Sequence, residues 1–446
     1  MMPVIPLIRD YTAGTVFAYR DGRRISVCEF LRDVEQVAAL LPQRRHILNL
    51  CSDRYHFMVG FAAALVRRHV SLLPPNQTPN LIAQLSDCYP DLYCLTDAAP
   101  APRSLLTIVY PRARDGACTE RPVPAISAAQ AAAILFTSGS TGRPVPNQKT
   151  WGALASGART EADRLGTREF PGLVIVSTVP QQHMYGLEST VLMVMQNGLV
   201  LHAGRPFHTA DIAAELQALP QPRALVTTPI HLRALVADTA HLPRVNFLLS
   251  ATAPLSPQLA AEAESRFAAP LYEIYGCTEA GQVATRRTVK TTEWRILPEL
   301  RLRQDATGTW VRGGHVETEV LLHDVIELLS SETFLLHGRT TDVVNIAGKR
   351  TSLAHLNHHL NAIAGVRDGV FVMPEEAGGT VTRLTALVVA PGLSRATVMN
   401  ALRQSIDVAF LPRPLVFVES LPRNDAGKLP RDALHQFITR NALKAG

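Results

Sequence analysis

The chain has 446 residues, 47% apolar and 18% charged, and is therefore a globular protein long enough for two or three domains. No run of about 18 apolar residues is present, which argues against a membrane-spanning helix, and no secretory signal is visible at the N-terminus. The net charge is +6, and the stretch from Asp342 to Gly446 holds twelve Lys or Arg against eight Asp or Glu. These basic residues are spread out and form no nucleic-acid motif, so we expect a cytoplasmic protein without a nucleic-acid partner.

Helical and strand patterns alternate along the first 250 residues. Val27–Leu41 and Phe57–Val66 have the apolar spacing of helices, whereas His46–Cys51 and Val70–Leu73 read as short strands. Further strands are predicted at Gly172–Val179, Leu199–His202, Ala224–Thr228 and Asn246–Ser250. Such alternation predicts parallel strands in an α/β sheet covered by helices. The Pro- and Arg-rich stretch Pro100–Pro124 is predicted to be a surface loop.

Smaller units follow in the last hundred residues. The pattern predicts helices near Leu353–Ile363 and Arg395–Phe410. Strands are predicted at Gly369–Met373, Thr385–Val389 and Pro414–Val418. This region is predicted to form a compact α+β domain. The six cysteines show no C-x-x-C spacing and are expected to be reduced thiols.

A loop of hydroxyl and glycine residues follows the apolar stretch Ala131–Phe136. Every residue of Thr137–Gly142 is Ser, Thr or Gly, which predicts a flexible turn with exposed backbone N–H groups. Such a turn can wrap a polyphosphate. It is not a Walker A loop, because no Gly-Lys-Ser/Thr follows. Taken alone, a loop of this composition is more often a plain surface turn.

The segment Tyr272–Gly281 places an aromatic residue before a glycine and two oxygen ligands after it. Tyr275 offers a flat surface for a purine or a flat acid beside the turn at Gly276. Thr278 and Glu279 supply adjacent oxygen atoms of the kind that Mg²⁺ on a nucleotide requires. The alternative interpretation is a strand end followed by a helix that starts at Thr278.

Two charged sites follow at larger spacing. Asp324 precedes Arg339 by fifteen residues, and a carboxylate and a guanidinium are suited to holding a ribose diol and its phosphate. The loop Leu421–Arg431 carries Lys428 after a glycine, where a lysine is able to reach a transferring phosphoryl group as a mobile charge. Each of these features alone indicates little.

Together and in this order, the four segments resemble the adenylate-forming superfamily: acyl- and aryl-CoA synthetases, peptide-synthetase adenylation domains and luciferases. The resemblance covers nearly the whole chain, including Thr15–Leu41, Phe57–Asn76, Val179–Gly186 and Ser250–Leu255. It implies an enzyme, an acid–thiol ligase that uses ATP and Mg²⁺. A carboxylate attacks the α-phosphate of ATP to give an acyl-adenylate, and a thiol then displaces AMP.

The resemblance also implies a role for each matching position. Lys428, Glu279 and His183 are the expected catalytic residues, and Thr141 and Glu279 the expected Mg²⁺ ligands. The expected ATP- and AMP-binding residues are Thr137, Ser138, Gly139, Ser140, Thr141, Gly142, Ala251, Thr252, Tyr275, Gly276, Thr278, Asp324 and Arg339. The expected acid pocket consists of His183, Tyr185, Gly186, Thr227, Ser250, Tyr275 and Gly276.

The expected fold is an α/β N-terminal domain over residues 1–341 and a small mobile α+β C-terminal domain over residues 342–446 that carries Lys428. The hinge is expected at Thr341 or Asp342, since the family usually has Asp or Lys there. The chain also departs from the family pattern elsewhere. The phosphate loop lacks its usual lysine and reads Pro144-Val145-Pro146, and whether Lys149 replaces that lysine stays open. Asn345 occupies another position that often holds lysine.

The acid is expected to be small and aromatic. His183 and Tyr185 occupy the positions where the family has the gate and wall of the acid pocket, and a histidine there resembles benzoate-type ligases. We therefore expect 3- or 4-hydroxybenzoate. A ring hydroxyl would need a polar partner, and Thr227, Thr228 or Ser189 are candidates. The alternative is that His183 is an ordinary core histidine.

The thiol is expected to be the phosphopantetheine of an acyl carrier protein, because the C-terminal region is rich in arginine and carrier proteins are acidic. The chain most resembles the hydroxybenzoate–carrier protein ligases of aryl-polyene (xanthomonadin-type) pigment biosynthesis. Free coenzyme A is the alternative thiol, and a nucleotide-binding sensor without activity is a further alternative. His355 and His359 lie one helical turn apart, which also allows a zinc site that lacks an evident third ligand.

Overall fold

The computed structural model describes residues 3–12, 14–98, 104–111, 119–138, 144–339, 343–346, 349–373, 384–424, 428–430, 433–434 and 436–438. Two large sheets dominate it. The first has six strands in the spatial order Pro144–Thr150, Ala131–Ser138, Val70–Leu73, His46–Asn49, Tyr93–Thr96 and Leu106–Val109. All neighbours are parallel except the first pair, which is antiparallel.

The second sheet has eleven strands. Their spatial order is Asp324–Leu328, Thr333–Arg339, Trp294–Ile296, Gly281–Arg286, Leu271–Cys277, Leu248–Ser250, Arg223–Thr227, Val174–Ser177, Val200–His202, Val16–Arg20 and Arg23–Ser26. The run from Leu271–Cys277 to Val16–Arg20 is parallel, and the pairs outside it are antiparallel. The carboxyl ends of the parallel strands therefore share one edge, where α/β proteins commonly bind ligands.

Helices pack on both sheets, and the most apolar ones lie in the interior. The helices of the large N-terminal part are Val27–Leu40, Arg54–Val66, Pro79–Cys88, Trp151–Arg164, Met184–Gly186, Met193–Gln196, Thr209–Ala218, Pro229–Ala237 and Pro257–Phe267. Leu187–Leu192 forms a π-helical segment that joins two of them into one continuous helix. Arg54–Val66 is apolar on nearly all sides and almost entirely buried, as an interior helix must be.

Smaller sheets complete the molecule. Arg301–Asp305, Gly308–Gly313 and Val316–Leu322 form an antiparallel sheet, and Val4–Pro6 pairs with Ala125–Ser127. The C-terminal part contains the strand pair Val343–Ile346 and Lys349–Ser352, the three strands Asp368–Val372, Thr385–Val389 and Leu415–Phe417, and the helices Leu353–Asn361 and Arg395–Ser405. A separate apolar cluster fills it, including Leu356, Phe371 and Leu402.

The predicted α/β class with a small C-terminal part is confirmed, and so are most predicted strands. Two predictions are wrong in detail. Pro100–Pro124 contains the strand Leu106–Val109, and the helix predicted to reach Phe410 ends at Ser405. It ends there because Ile406 is extended and Asp407 accepts a hydrogen bond from the N–H of Ala409, which starts a separate 3₁₀ turn.

Cys28 is disulfide-bonded, so the expectation of reduced thiols is wrong at that position. Cys51, Cys88, Cys94 and Cys277 are free. None of the helices in the described ranges combines the length and the apolar character that crossing a membrane requires.

Candidate active site

The carboxyl edge of the parallel strands gathers the residues predicted to form the acid pocket. Thr227 and Ser250 end neighbouring strands and lie opposite each other. The Tyr185 hydroxyl donates to the peptide oxygens of Thr227 at 3.1 Å and Leu249 at 3.0 Å. The structure therefore brings Tyr185, Thr227 and Ser250 together, with Tyr185 fixed to the sheet edge.

His183 and Gly186 lie where the chain turns from this edge into the long helix. His183 precedes the first helical residue, and its peptide oxygen accepts the N–H of Leu187 at 2.8 Å. A Cβ on Gly186 would lie 2.0 Å from the peptide oxygen of Pro180. Only glycine fits this close approach, so Gly186 allows the chain to pack against Pro180 at this turn.

The three candidate partners for a ring hydroxyl differ in their contacts. The Thr227 and Thr178 hydroxyls are 2.9 Å apart, and the Thr228 hydroxyl is 2.9 Å from Nδ1 of His231. Burial lowers the pKa of His231 to about 4, and the charge of Arg205 acts in the same direction. The remaining candidate, Ser189, is buried, and its hydroxyl accepts a hydrogen bond from the Gln282 amide at 3.2 Å.

Tyr275 and Asp324 meet directly. The Tyr275 hydroxyl donates to Oδ2 of Asp324 at 2.7 Å, although the two residues are 49 positions apart in sequence. The Tyr275 ring packs against Trp294 and Phe334, with centroids 5.7 and 5.6 Å away. Arg339 lies directly opposite Asp324 in the antiparallel ladder. Two residues predicted to bind the nucleoside, Tyr275 and Asp324, are therefore in direct contact, and the backbone of Arg339 pairs with that of Asp324.

A tight turn connects Tyr275 to Thr278 and Glu279. A Cβ on Gly276 would lie 2.3 Å from the peptide oxygen of Gly281, so the two strands of this hairpin close without a side chain between them. Gly281 itself has φ +78°, which favours glycine. The neighbouring strand in the sheet, Leu248–Ser250, ends at the same edge, and Ala251 and Thr252 follow it there. Thr252 has φ 80°, in the left-handed region.

The phosphate loop is described only at its two ends. Thr137 and Ser138 end the strand Ala131–Ser138, and the Asn147 amide is 3.4 Å from the Thr137 hydroxyl. The predicted loop residues Gly139, Ser140, Thr141 and Gly142 lie outside the described residues, as do the hinge candidates Thr341 and Asp342.

Lys149 lies on the strand that leaves this loop, and its ammonium donates a hydrogen bond to the peptide oxygen of Glu279. Lys149 is half-buried near two fully buried acids, Glu188 and Glu161, that the sequence analysis did not single out. Burial raises the pKa of Glu188 to about 8, with Glu161 adding to the rise and Lys149 opposing it. Burial likewise raises the pKa of Glu161 to about 7, against the effect of Ser189 and Gln282. No sequence pattern marks these acids: Glu161 lies among the charged residues of its helix, and Glu188 is a single acid in an apolar helix.

A charge cluster anchors the loop that carries Lys428. Arg423 binds Asp368 through Nε at 2.7 Å and through a terminal nitrogen at 2.8 Å. Arg233, on the helix that follows Thr228, approaches the same carboxylate at 3.8 Å. Lys428 is exposed. Its N–H donates to Oδ1 of Asn424 at 2.9 Å, and its peptide oxygen accepts the N–H of Asn424 at 2.8 Å. The cluster thus ties the lysine loop to the helix beside the predicted acid pocket.

The rings of His355 and His359 lie 4.6 Å apart on their helix. Within the described ranges, no group of three His, Cys, Asp or Glu side chains is arranged to hold a metal ion. The described geometry therefore gives no support to the zinc alternative.

Sequence comparison is consistent with this arrangement. The profile of a family described as "AMP-binding enzyme" matches residues 10–321. The 4-coumarate–CoA ligase of Halorhodospira halophila is 27% identical over 299 residues, which cover 66% of this chain and 73% of that protein. The 3-hydroxybenzoate–CoA/4-hydroxybenzoate–CoA ligase of Thauera aromatica is 24% identical over 394 residues, which cover 78% of this chain and 74% of that protein.

Among solved structures, ATP-bound MatB from Rhodopseudomonas palustris superposes with a TM-score of 0.82 at 18% identity, covering 96% of this chain and 97% of that one. This similarity shows the shared fold. The molecule is an enzyme of the acid–thiol ligase class. The chain belongs to the AMP-binding enzyme family, as its sequence motifs predicted.

Proposed function

We propose that the protein activates an aromatic carboxylic acid, 3- or 4-hydroxybenzoate, with ATP and transfers the acyl group to the phosphopantetheine thiol of an acyl carrier protein. The observation that carries this proposal is the convergence of Tyr185, Thr227 and Ser250 at the sheet edge. The strand Leu271–Cys277, which holds Tyr275, is the next neighbour at that edge. A flat acid and a nucleoside would therefore lie side by side.

In the first half-reaction, a carboxylate oxygen of the acid attacks the α-phosphorus of ATP. The bond from that phosphorus to the bridging oxygen breaks, and pyrophosphate leaves. Two anions must approach each other, so a cation at the point of attack lowers the barrier. Lys428 is the residue proposed for this role, with Tyr275 beside adenine and Asp324 and Arg339 at the ribose.

Mg²⁺ commonly binds proteins through one or two carboxylates together with substrate phosphates. Glu279 fits this requirement, because its carboxylate lies on the turn beside Tyr275 while its peptide oxygen is occupied by Lys149. The ion would neutralise charge on the phosphates when bound. Thr141 is proposed as its second protein ligand.

In the second half-reaction, the thiol sulfur attacks the acyl carbonyl, the thiol proton goes to solvent, and AMP leaves. The proposal includes a large domain over residues 1–341 and a mobile domain over residues 342–446 that pivots at Thr341 or Asp342 between the two steps. His183 is proposed as the gate between the acid pocket and the incoming thiol.

An acidic carrier protein is favoured over coenzyme A by the exposed arginines of the C-terminal part. Arg367, Arg395, Arg403 and Arg413 are all exposed. Coenzyme A remains the second candidate thiol, because the relatives from Halorhodospira halophila and Thauera aromatica are CoA ligases. A cytoplasmic enzyme of aryl-polyene pigment biosynthesis is the biological setting that this proposal implies.

An intact-mass assay tests the proposal. The purified protein receives ATP, Mg²⁺ and 3- or 4-hydroxybenzoate, with phosphopantetheinylated carrier protein and coenzyme A in competition. A hydroxybenzoyl mass on the carrier supports the proposal, whereas aryl-CoA alone shows an ordinary aryl-CoA synthetase. Absence of both products and of pyrophosphate release would contradict it and favour a nucleotide-binding sensor or a different acid.

A further inference from the structure

Lys149 connects the two large sheets at the candidate active site. It lies near the end of the strand Pro144–Thr150 of the six-stranded sheet. Its ammonium donates to the peptide oxygen of Glu279, in the turn between two strands of the eleven-stranded sheet. One side chain therefore links the strand that leaves the phosphate loop to the turn that carries Thr278 and Glu279.

Glu188 lies directly beneath that turn. A Cβ on Gly281 would lie 2.7 Å from Oε1 of Glu188, so the carboxyl reaches the turn only because residue 281 is glycine. The same oxygen lies 3.6 Å from the Cβ position of Gly157, on the helix that follows Lys149. Glu188 is 2% exposed, and it interacts with the charge of Lys149. Partial removal of an ammonium from water is costly, and a nearby negative charge offsets part of that cost.

A second buried acid lies near Glu188. Glu161 is fully buried and lies close enough to Glu188 to raise its pKa, so two carboxyls share the space with one ammonium. Burial raises the pKa of both acids, and the charge of Lys149 opposes that rise at Glu188. The hydrogen bond to the Glu279 peptide oxygen sets the direction of the Lys149 side chain.

The strand itself offers no other cation. Between Pro144 and Thr150 the sequence reads Pro-Val-Pro-Asn-Gln-Lys-Thr, so Lys149 is the single charged residue of the strand. Val145, at the loop end, is exposed and apolar. Lys149 is therefore the one residue of this strand that can supply a positive charge to the site. Its ammonium contacts the peptide oxygen of Glu279.

We propose that Lys149 is a positioning residue for adenylation: its hydrogen bond to the peptide oxygen of Glu279 fixes the Thr278–Glu279 turn against the strand Pro144–Thr150 and thereby shapes the ATP site. The inference rests on the proposed function for the adenylation reaction. The effect of Lys149 on ATP binding does not depend on which acid is activated. It gives Lys149 an indirect role, because its ammonium binds the peptide oxygen of Glu279 and not the side chain.

Calorimetric titration with ATP tests the inference independently of catalysis. We expect Lys149→Met to weaken ATP binding at least tenfold, and Lys290→Met, which removes an exposed lysine, to leave it unchanged. Glu188→Gln retains the lysine and serves as a second variant that removes only the counter-charge, with a smaller loss of ATP affinity. The double variant Lys149→Met/Glu188→Gln should bind ATP no more weakly than Lys149→Met, because the two residues act as one unit. Melting temperatures confirm that each variant is folded.

Pyrophosphate exchange supplies a second readout. Lys149→Met should raise KM for ATP and leave KM for the acid unchanged, whereas a general loss of structure would affect both. Equal ATP affinities in the wild type and Lys149→Met, or fully additive losses in the double variant, would overturn the inference. If the wild type binds ATP but releases no pyrophosphate with any aromatic acid, the proposed function fails, and the ATP affinities alone decide the role of Lys149.

Discussion

At the scale of single residues, Lys428 carries the clearest prediction. We expect Lys428→Ala to slow adenylation by about 100-fold or more, because a cation would no longer offset the repulsion between the acid and the α-phosphate. Thioester formation from presynthesised adenylate should be much less affected. The two half-reactions are measured as pyrophosphate exchange and as acyl transfer. Equal losses in both would contradict the assignment.

Glu161 leads to a prediction about pH. Its carboxyl ionises near 4.5 when unfolded and near 7 in the folded protein, mainly because of burial. The folded state therefore holds a proton that the unfolded state releases, and stability falls as the pH rises from about 4.5 to about 7. Glu161→Gln removes this loss, so its stability relative to the wild type should be greater at pH 8 than at pH 5.

The difference between the two pH values should be on the order of 1 to 3 kcal/mol, measured by chemical denaturation of both proteins. Glu293→Gln, which changes an exposed acid, is the matched control. A stability difference that is the same at pH 5 and pH 8 would show that Glu161 ionises normally in the folded protein.

Some site residues are predictable because adjacent residues in the sequence indicate their role. Tyr275 and Asp324 stand out because a glycine turn follows one and an arginine partner follows the other, and the structure joins their side chains. Glu188 and Glu161 give no such signal, and Lys149 is notable in the sequence only because the phosphate loop lacks its usual lysine. Their relation depends on a contact between two sheets, and a single charged residue in a strand or helix reads as a solvated one.

At the scale of elements, the hairpin of Leu271–Cys277 and Gly281–Arg286 depends on glycine. We expect Gly276→Ala to destabilise the protein by about 2 kcal/mol or more, because its Cβ would overlap the peptide oxygen of Gly281 at 2.3 Å. The displaced turn should also raise KM for ATP. Gly14→Ala is the control, since a Cβ at Gly14 meets no atom within 4 Å. Equal stability of the two variants would disprove the steric argument.

The parallel strands were predictable because their apolar runs are short and bounded by turn residues, as at Val70–Leu73. The antiparallel sheet of Arg301–Leu322 was missed. Most residues of its strands are exposed or half-buried and several are charged, so they lack the apolar signal of a buried strand. The π-helical segment Leu187–Leu192 was likewise invisible, because its residues have an ordinary helical composition.

At the scale of the whole molecule, Asp368 links the two parts of the chain. It binds Arg423 in the lysine loop and faces Arg233 in the large part. We expect Asp368→Asn to slow adenylation about tenfold. This corresponds to a loss of about 1.4 kcal/mol in the free energy that holds the lysine loop in position for the reaction. Transfer from presynthesised adenylate should be nearly unchanged. Burial lowers the pKa of Arg233 and Asp368 opposes this, so the substitution leaves two neighbouring cations without their shared anion.

Pyrophosphate exchange and acyl transfer are compared in the same preparation of Asp368→Asn. Glu319→Gln is the matched control, because the pair of Glu319 with Arg303 is exposed and contributes little. A proportional loss in both half-reactions would mean that Asp368 supports the C-terminal fold rather than the pose of the lysine loop.

The exposed arginines of the C-terminal part lead to the last prediction, and Arg423 is excluded from that surface because it is committed to Asp368. The triple variant Arg395→Glu, Arg403→Glu and Arg413→Glu should slow acyl transfer to an acidic carrier protein about tenfold at low salt, since steering by opposite charge accelerates association. Pyrophosphate release should not change.

The control variant reverses three exposed arginines elsewhere, Arg24, Arg45 and Arg312, and alters the net charge equally. If both triple variants slow transfer to the same extent, overall charge rather than a docking face controls the encounter. If neither does, the C-terminal arginines are ordinary surface residues. A tenfold effect confined to the C-terminal variant, and reduced at high salt, places the carrier on this surface, because only local complementarity distinguishes two proteins of equal net charge.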